Sequence, residues 1–573
     1  MKSKKQLNPH PKSAIIINKA KIFRFYDFTN RKGVQMITAA QAMVKCLQEE
    51  QISVVFGYPG AAICPFYDAL SKTDIKHILV RHEQNAGHSA NGYARITGKP
   101  AVAVATSGPG ALNLIASIAT AYMDSIPLVV ITGQVSSELL GRDVFQEADI
   151  TGAVEPFSKY SYIVKDATQI PRIFKEAFYL AGTGRPGPVI IDVPQDVQME
   201  KIPFDYPKEV SLRSYKPTVK GHPGQIKRVL TAIKHAKKPL IMAGGGVFAS
   251  DAQKELQEFS RKANIPVIST MMGIGAVPCS DELYFGMVGM HGCKTANNAV
   301  LQSDLLILIG ARAGDRAVKS PSAVNAATKV IHIDIDPAEI GKNLDVDIPI
   351  VGDARTILAE LNQKIAPVAD EPWLNHLREL RDSDVRAEKT YDNCINPKAF
   401  IRMLSAKAEK DAVVVADVGQ NQIWTANHFN VQDGRFLTSG GMGTMGYAIP
   451  AAVGAKLADY DKQVFAICGD GSFQMSMMEL GTIKQNEIPV KIIVMTNNVL
   501  GMVRELQEKF YAGNETAVCL AGSPNIAQLA NSYGIRSRRL YSMAEMEAAI
   551  DELLQADEPY LLECMVSAAE STL

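Results

Sequence analysis

Gly469-Asp470-Gly471-Ser472, followed by Thr496-Asn497-Asn498, is the stretch on which the reading of this chain turns. The apolar run Gln463-Val464-Phe465-Ala466-Ile467-Cys468 enters the glycines and reads as a buried strand. Pro489-Val490-Lys491-Ile492-Ile493-Val494-Met495 reads as the next strand and ends at the asparagines. Phe473 to Asn486 between them has helical spacing. Both polar clusters therefore fall at the carboxyl ends of neighbouring strands in a βαβ unit, where open α/β sheets bind ligands. Asp470 and Asn497 can share a hard cation, and magnesium takes oxygen ligands while keeping phosphate in its shell. Free backbone N–H groups and a helix start behind the glycines suit a diphosphate.

The rest of the chain repeats this α/β alternation. Strands are predicted near 53–57, 76–81, 101–106, 127–132 and 188–193, then near 239–243, 265–269, 305–310 and 329–335, then near 412–416, 464–468, 489–495 and 559–565. Helical segments separate them, so the fold class is α/β, with three doubly wound parallel-sheet domains. The expected boundaries are a basic extension at 1–35, a domain at 36–200, a linker at 201–224, a domain at 225–366, a linker at 367–395 and a domain at 396–573. The extension carries nine Lys or Arg and one acid, Asp27, and is read as disordered or spurious. It is not serine-rich and has no secretory apolar core.

Composition excludes several classes. The chain has 573 residues, equal numbers of basic and acidic side chains, 47% hydrophobic and 21% charged residues. Nothing favours nucleic acid or an anionic membrane as a partner. Eight scattered cysteines form no CxxC or Cys/His cluster and read as reduced thiols of a cytoplasmic enzyme. No apolar stretch is long enough for a membrane helix.

The GDG with an Asn 27 residues after its Asp resembles the diphosphate motif of thiamine-diphosphate enzymes. That resemblance implies Mg²⁺ on Asp470, Asn497 and the carbonyl of Val499, with Gly471 and Ser472 at the diphosphate. Arg81-His82-Glu83-Gln84-Asn85-Ala86-Gly87-His88, running on to Tyr93-Ala94-Arg95, resembles the catalytic-glutamate segment of the acetohydroxyacid (acetolactate) synthase family. Glu83 is then the carboxylate that meets the aminopyrimidine. Positioned acid–base help of this kind contributes about 10²–10⁴ in rate. The plain alternative, a turn glutamate paired with Arg81, is weakened by Thr106-Ser107-Gly108-Pro109-Gly110, which fits the same family. His82 and His88 lack ligand spacing for a metal and read as polar packing.

Val418-Gly419-Gln420-Asn421-Gln422 resembles the family's VGQHQ, placing Gln420 and Asn421 at the diphosphate, with Asn421 still a donor where the family has His. Ser439-Gly440-Gly441-Met442-Gly443-Thr444-Met445-Gly446-Tyr447 matches SGGxGTMGY. Gly443, Thr444 and Met445 then line the coenzyme, Met445 holding it bent, and Met502 joins them. The middle block resembles the family's FAD domain. Gly246, Thr270, Met271, Val288, Gly289, Met290, His291, Gly310, Ala311, Arg312, Asp334, Ile335, Gly352 and Asp353 are the implied contacts, with Arg185 from the first block. Phe145, Gln146, Gln195, Asp315, Arg316 and Leu506 match substrate positions, Arg316 holding the acceptor's carboxylate.

Departures from the family pattern fall at these sites. Its GARFDDR reads with Ala313 and Gly314, its VPKD lysine is Gln195, the proline of its GQVP is Ser136, and the Trp of its GMVRQWQ is Leu506. The chain stops at Leu573, where the family continues into a short arm. The resemblance runs from about Met36 to Ser567. It implies condensation of pyruvate with a second pyruvate or 2-ketobutyrate, the first common step towards branched-chain amino acids. It also implies a homodimer or homotetramer with active sites between chains, and a small regulatory subunit. The alternatives are an FAD-independent catabolic acetolactate synthase, a pyruvate oxidase, and a non-catalytic cofactor-binding protein.

Overall fold

The computed structural model describes residues 36–318, 320–326, 328–366, 371–384, 389 and 391–572. The expected basic extension, 1–35, lies outside them. Runs such as Ala101–Ala105, Leu128–Gln134 and Pro188–Pro194 are buried at every position. Strands covered on both faces by helices need no polar alternation, which is why they read as unbroken apolar stretches.

Three six-stranded parallel sheets result. Across the first lie Lys76–Leu79, Val54–Gly57, Ala101–Ala105, Leu128–Gln134, Pro188–Pro194 and Tyr160–Ile163. Across the third lie Arg435–Leu437, Val413–Ala416, Val464–Gly469, Lys491–Thr496, Tyr560–Met565 and Arg536–Leu540. Numbered along the chain, both read 2-1-3-4-6-5. The middle sheet runs Tyr284–Met287, Val267–Ser269, Pro239–Ala243, Leu305–Ile309, Lys329–Asp334 and Ile348–Val351, order 3-2-1-4-5-6, that of dinucleotide-binding sheets.

Within the three six-stranded sheets, five strands escape the sequence pattern: Tyr160–Ile163, Tyr284–Met287, Ile348–Val351, Arg435–Leu437 and Arg536–Leu540. All are sheet edges. Two stretches expected as linkers carry structure. Lys201–Pro203 pairs antiparallel with Met36–Thr38 and closes the first domain. Within 367–395, the helix Glu371–Ser383 buries Trp373, Leu374 and Leu377 in a core of the middle domain. The Trp373 indole donates to the Pro239 carbonyl.

The first and third domains meet through equivalent helices, each following its domain's second strand. Glu83–Thr97 starts with the His82 ring accepting from Gln84 N–H and ends at Gly98, in the left-handed region (φ 67°). It packs on Ala448–Ala458. At the crossing, a Cβ on Gly92 would lie 2.7 Å from the Ala451 carbonyl carbon, and one on Gly454 would lie 2.7 Å from that of Ser89. Only glycines permit this approach of backbone to backbone. No helix among the described residues is long and apolar enough to cross a membrane.

Candidate active site

The strand Val464–Gly469 ends on Gly469, and the next turn of chain is the helix Asp470–Gln474. Asp470 is buried, and its Oδ2 accepts the Asn498 N–H at 2.8 Å, so the two polar clusters of the sequence meet. Burial pushes the Asp470 carboxyl up to about 6, against the backbone N–H groups that favour its charged form. A bound cation would add to those N–H groups. Asn497 Oδ1 accepts from Val499 N–H at 3.2 Å, while Asn498 sits in the left-handed region (φ 57°) and turns the chain. Val499 pairs with Cys519, so that Leu500 N–H reaches Val518 and Leu520 N–H reaches Asn498. Asp470, Asn497 and Val499 thus lie on one turn-and-bridge unit. Among the described residues no group of three or more His, Cys, Asp and Glu side chains could hold a metal. A set of one carboxylate, one amide and one carbonyl is a magnesium-type set without such a group.

Gly471 leaves room that a Cβ would fill: Leu500 Cδ2 would be 2.9 Å away and Met445 Cε 3.6 Å. Met445 therefore faces the Gly469–Ser472 turn, while Gly443 lies in the left-handed region (φ 72°) beside Thr444. Ser472 turns inward, its hydroxyl bonding Gly469. Gln420 accepts from Asn497 at 2.9 Å and donates to Glu505 at 2.6 Å and to the Glu570 carbonyl at 3.0 Å. It bridges the asparagine to the helix Gly501–Phe510, which Met502 opens and which carries Leu506. Asn421 differs from expectation. Both its amide hydrogens are committed to the carbonyls of Asp417 and Ile467, so it ties two strand ends together rather than offering a donor to a ligand.

Glu83 opens its helix in the first domain. Its Oε2 accepts from Asn113 at 2.9 Å, and its Oε1 lies 3.3 Å from where a Gly110 Cβ would be. Gln146, itself at φ 60°, packs its backbone over Gly108. Glu147 gathers the N–H groups of Gly141, Arg142 and Val144, which shapes the loop and leaves Phe145 87% exposed. Gln195 is exposed and donates weakly to Ala61 at 3.4 Å. Glu83, Gln146 and Phe145 form one cluster; Asp470, Asn497 and Met445 form another, in a different domain.

In the middle domain Gly246 and Gly310 touch backbone to backbone between Pro239–Ala243 and Leu305–Ile309, the point where strand order reverses. A dinucleotide fits such a crevice. Thr270 and Met271 turn beside it, with Thr270 N–H on the Ala243 carbonyl. Asp334 ends its strand ahead of Ile335; burial pushes its carboxyl up to about 6, and its Oδ1 accepts Asp336 N–H. Ala311 is buried and the Arg312 carbonyl accepts from Asn343. Gly352 (φ 159°) precedes Asp353, which is occupied as a helix cap by Thr356. Arg185 does reach across from the first domain, to Asp336 at 3.2 Å and Glu339 at 2.8 Å. Val288 and Gly289 lead to Met290 and His291. His291 faces the third domain: Asn427 donates to its carbonyl, and Glu505 opposes the burial that lowers its ring. Arg316 donates to Met290 Sδ and, with Asp315, is exposed.

Asn113 and Glu505 escaped the sequence reading. Asn113 stands one turn into the helix that the TSGPG turn opens. Glu505 occupies a place in a motif read only for its neighbour Leu506.

Comparison with known proteins accords with this layout. Residues 37–153 match the model of the thiamine pyrophosphate enzyme N-terminal TPP binding domain, 226–361 the central domain, and 417–564 the C-terminal TPP binding domain. The chain is 44% identical over 556 residues to a probable acetolactate synthase large subunit of Methanococcus aeolicus, covering 93% of each. It is 43% identical over 529 residues to the acetolactate synthase large subunit of Haemophilus influenzae, covering 91% of this chain and 92% of that one. It is 40% identical over 533 residues to the acetolactate synthase isozyme 3 large subunit of Escherichia coli, covering 91% and 93%. With both TPP-binding domains and the central domain matched in order, the chain belongs to the acetolactate synthase large-subunit family of thiamine pyrophosphate enzymes.

Proposed function

We propose that this chain is the catalytic subunit of an acetolactate synthase. It condenses pyruvate with a second pyruvate or with 2-ketobutyrate, with loss of CO₂, in the cytoplasm. The observation that carries the reading is the junction of Asp470 with the Asn497-Asn498 turn, because it assembles a cation and diphosphate cradle at adjacent strand ends. Thiamine diphosphate, when bound, supplies the carbanion chemistry. Asp470, Asn497 and the Val499 carbonyl would hold Mg²⁺ there, and the space over Gly471 would take the diphosphate.

Asn113 holds the Glu83 carboxylate by its Oε2, and Oε1 would exchange the proton with the coenzyme's ring. The exposed Arg316 would clamp the acceptor's carboxylate by a charge-assisted bond. Leu506 forms the wall against the acceptor's alkyl end. Glu83 and Phe145 belong to a cluster with no hydrogen bond among the described residues to the Asp470 cluster of the same chain. That supports active sites completed by a second chain, in a homodimer or homotetramer. FAD would lie over the Gly246–Gly310 crevice at the switch in strand order, and a small regulatory subunit joins some assemblies of this type. The dinucleotide-type strand order of the middle sheet supports the FAD-dependent reading over the FAD-independent one.

The test is acetolactate formation from pyruvate with thiamine diphosphate, Mg²⁺ and FAD withheld in turn. Glu83→Gln should lower the rate by about 10²–10⁴ while coenzyme binding persists. Full activity without thiamine diphosphate, or an unaffected Glu83→Gln enzyme, refutes the reading.

A further inference from the structure

The loop Ser439–Tyr447 lies where all three domains touch. Gly440 packs on Met272 of the middle domain, whose Cγ is 3.1 Å from a built Cβ. Gly441 packs on Met123 of the first domain at 2.9 Å. Four of the loop's nine residues are glycines, so hydrogen bonding to its backbone does much to fix its course.

Two buried carboxylates supply that bonding, one at each end. Asp124, the last residue of the first-domain helix Ile115–Asp124, accepts Gly441 N–H at 2.7 Å and Gly440 N–H at 3.3 Å. Its side chain is fully buried and paired with Arg95 at 2.6 Å. Arg95 is in turn aimed by Asn91, which also takes the Tyr447 hydroxyl. Asp417, beyond the strand Val413–Ala416 of the third domain, accepts Gly446 N–H at 2.9 Å and Ala448 N–H at 2.8 Å. Midway, the Thr120 and Thr444 hydroxyls share a hydrogen bond of 2.7 Å. Gly443, Thr444 and Met445 are the span held between these points. Charge-assisted bonds to backbone N–H are the stronger kind and do not depend on a side-chain rotamer of the loop.

We infer that Asp124 and Thr120 of the first domain are positioning residues for the coenzyme: with Asp417 they set the path of the loop that presents Met445, so that the first domain governs coenzyme affinity in the third domain of the same chain. This rests on the coenzyme reading above.

The experiment measures two things on the full-length chain. Amide hydrogen exchange over 438–447 is followed without coenzyme, and thiamine diphosphate binding with Mg²⁺ is followed by calorimetry. Asp124→Asn should speed exchange of this segment at least tenfold, leave the strand Val464–Gly469 protected, and raise the coenzyme Kd at least tenfold. The pyruvate KM at saturating coenzyme should stay within about twofold. Thr120→Val should raise Kd a few-fold, and Thr120→Ser should restore it. Unchanged exchange and Kd in a folded Asp124→Asn overturn the inference. So does exchange accelerated equally throughout the third domain, which marks a general loss of stability. Where Asp124→Asn does not fold, the Thr120 pair decides alone: equal Kd for Val and Ser overturns it. Wild-type protein that binds no thiamine diphosphate refutes the coenzyme reading instead, and the exchange result still judges the clamp.

Discussion

Replacing Gly92 by Ala tests how closely the first and third domains must approach. A Cβ there would sit 2.7 Å from the Ala451 carbonyl carbon and 2.8 Å from its Cα, and nearer still to its oxygen. Carbon contacts are most favourable at about 3.5–4.0 Å, so the shortfall is roughly 1 Å. Both sides of the clash are helix backbone, and no rotamer change relieves it. The helices Glu83–Thr97 and Ala448–Ala458 must part, and a gap of that size forfeits roughly a quarter to a half of each affected contact. Overpacking costs about 1–3 kcal/mol, and a contact with no soft neighbour belongs at the upper end. Helix propensity acts the other way, favouring Ala over Gly by about 1 kcal/mol. The expected net result is a loss of about 2 kcal/mol, whereas propensity alone gives a gain. Urea unfolding reads this directly, with Gly522→Ala as control: a Cβ there meets nothing within 4 Å. Gly454→Ala should behave as Gly92→Ala does, and the double variant should lose less than the sum, because the first substitution has already parted the pair. Stability equal to wild type or higher in Gly92→Ala would refute the reasoning.

Three further outcomes follow from the site and the core. Leu506→Trp should shift product formation towards 2-ketobutyrate over pyruvate when both compete, within the roughly 1–3 kcal/mol that one methylene allows; an unchanged product ratio counts against Leu506 as the acceptor wall. Asp470→Asn should require more Mg²⁺ for half-saturation and weaken thiamine diphosphate binding in a magnesium titration, whereas an unshifted titration removes Asp470 from the cation's shell. Burial lowers His88 to about 3 and His77 and His332 to about 4. Their unfolded values lie near 6.5, so below that pH the unfolded chain binds more protons and folding stability falls. Each contributes a slope of up to about 1.4 kcal/mol per pH unit between its two values. Urea midpoints at pH 7 and 5 should show the loss, His88→Gln should lessen it, and a flat profile contradicts the neutral buried rings.

The buried strands were legible because immersion on both faces leaves an unbroken apolar run. The edge strands other than Lys76–Leu79 were not. Arg536–Leu540 is RSRRL, with only Leu540 buried, and Tyr160–Ile163 is buried at no position. Such segments become strands because a neighbour offers its backbone, and no local pattern records the neighbour. The segment 367–389 shows helical spacing in its middle, but the charged surface of Glu371–Ser383 masked the three residues it buries and so its packing on the middle domain. Within the site, Asp470 and Asn497 declared themselves through their spacing and strand context. Asn421 was misjudged because its donors were visible in the sequence and their backbone acceptors, Asp417 and Ile467, were not. Asp124 gave no sign at all, since the loop residues it holds, Gly440 and Gly441, lie more than 300 residues away.

The first and third sheets share one winding, and their matching helices meet glycine against backbone as two copies of a symmetric dimer would. True copies encoded by one gene must change together. Two halves strung on a single polypeptide are released from that bond. One half could keep a lone carboxylate at its helix start while the other put a glycine-rich loop at the corresponding place. Division of labour between look-alike modules is what such tandem inheritance permits.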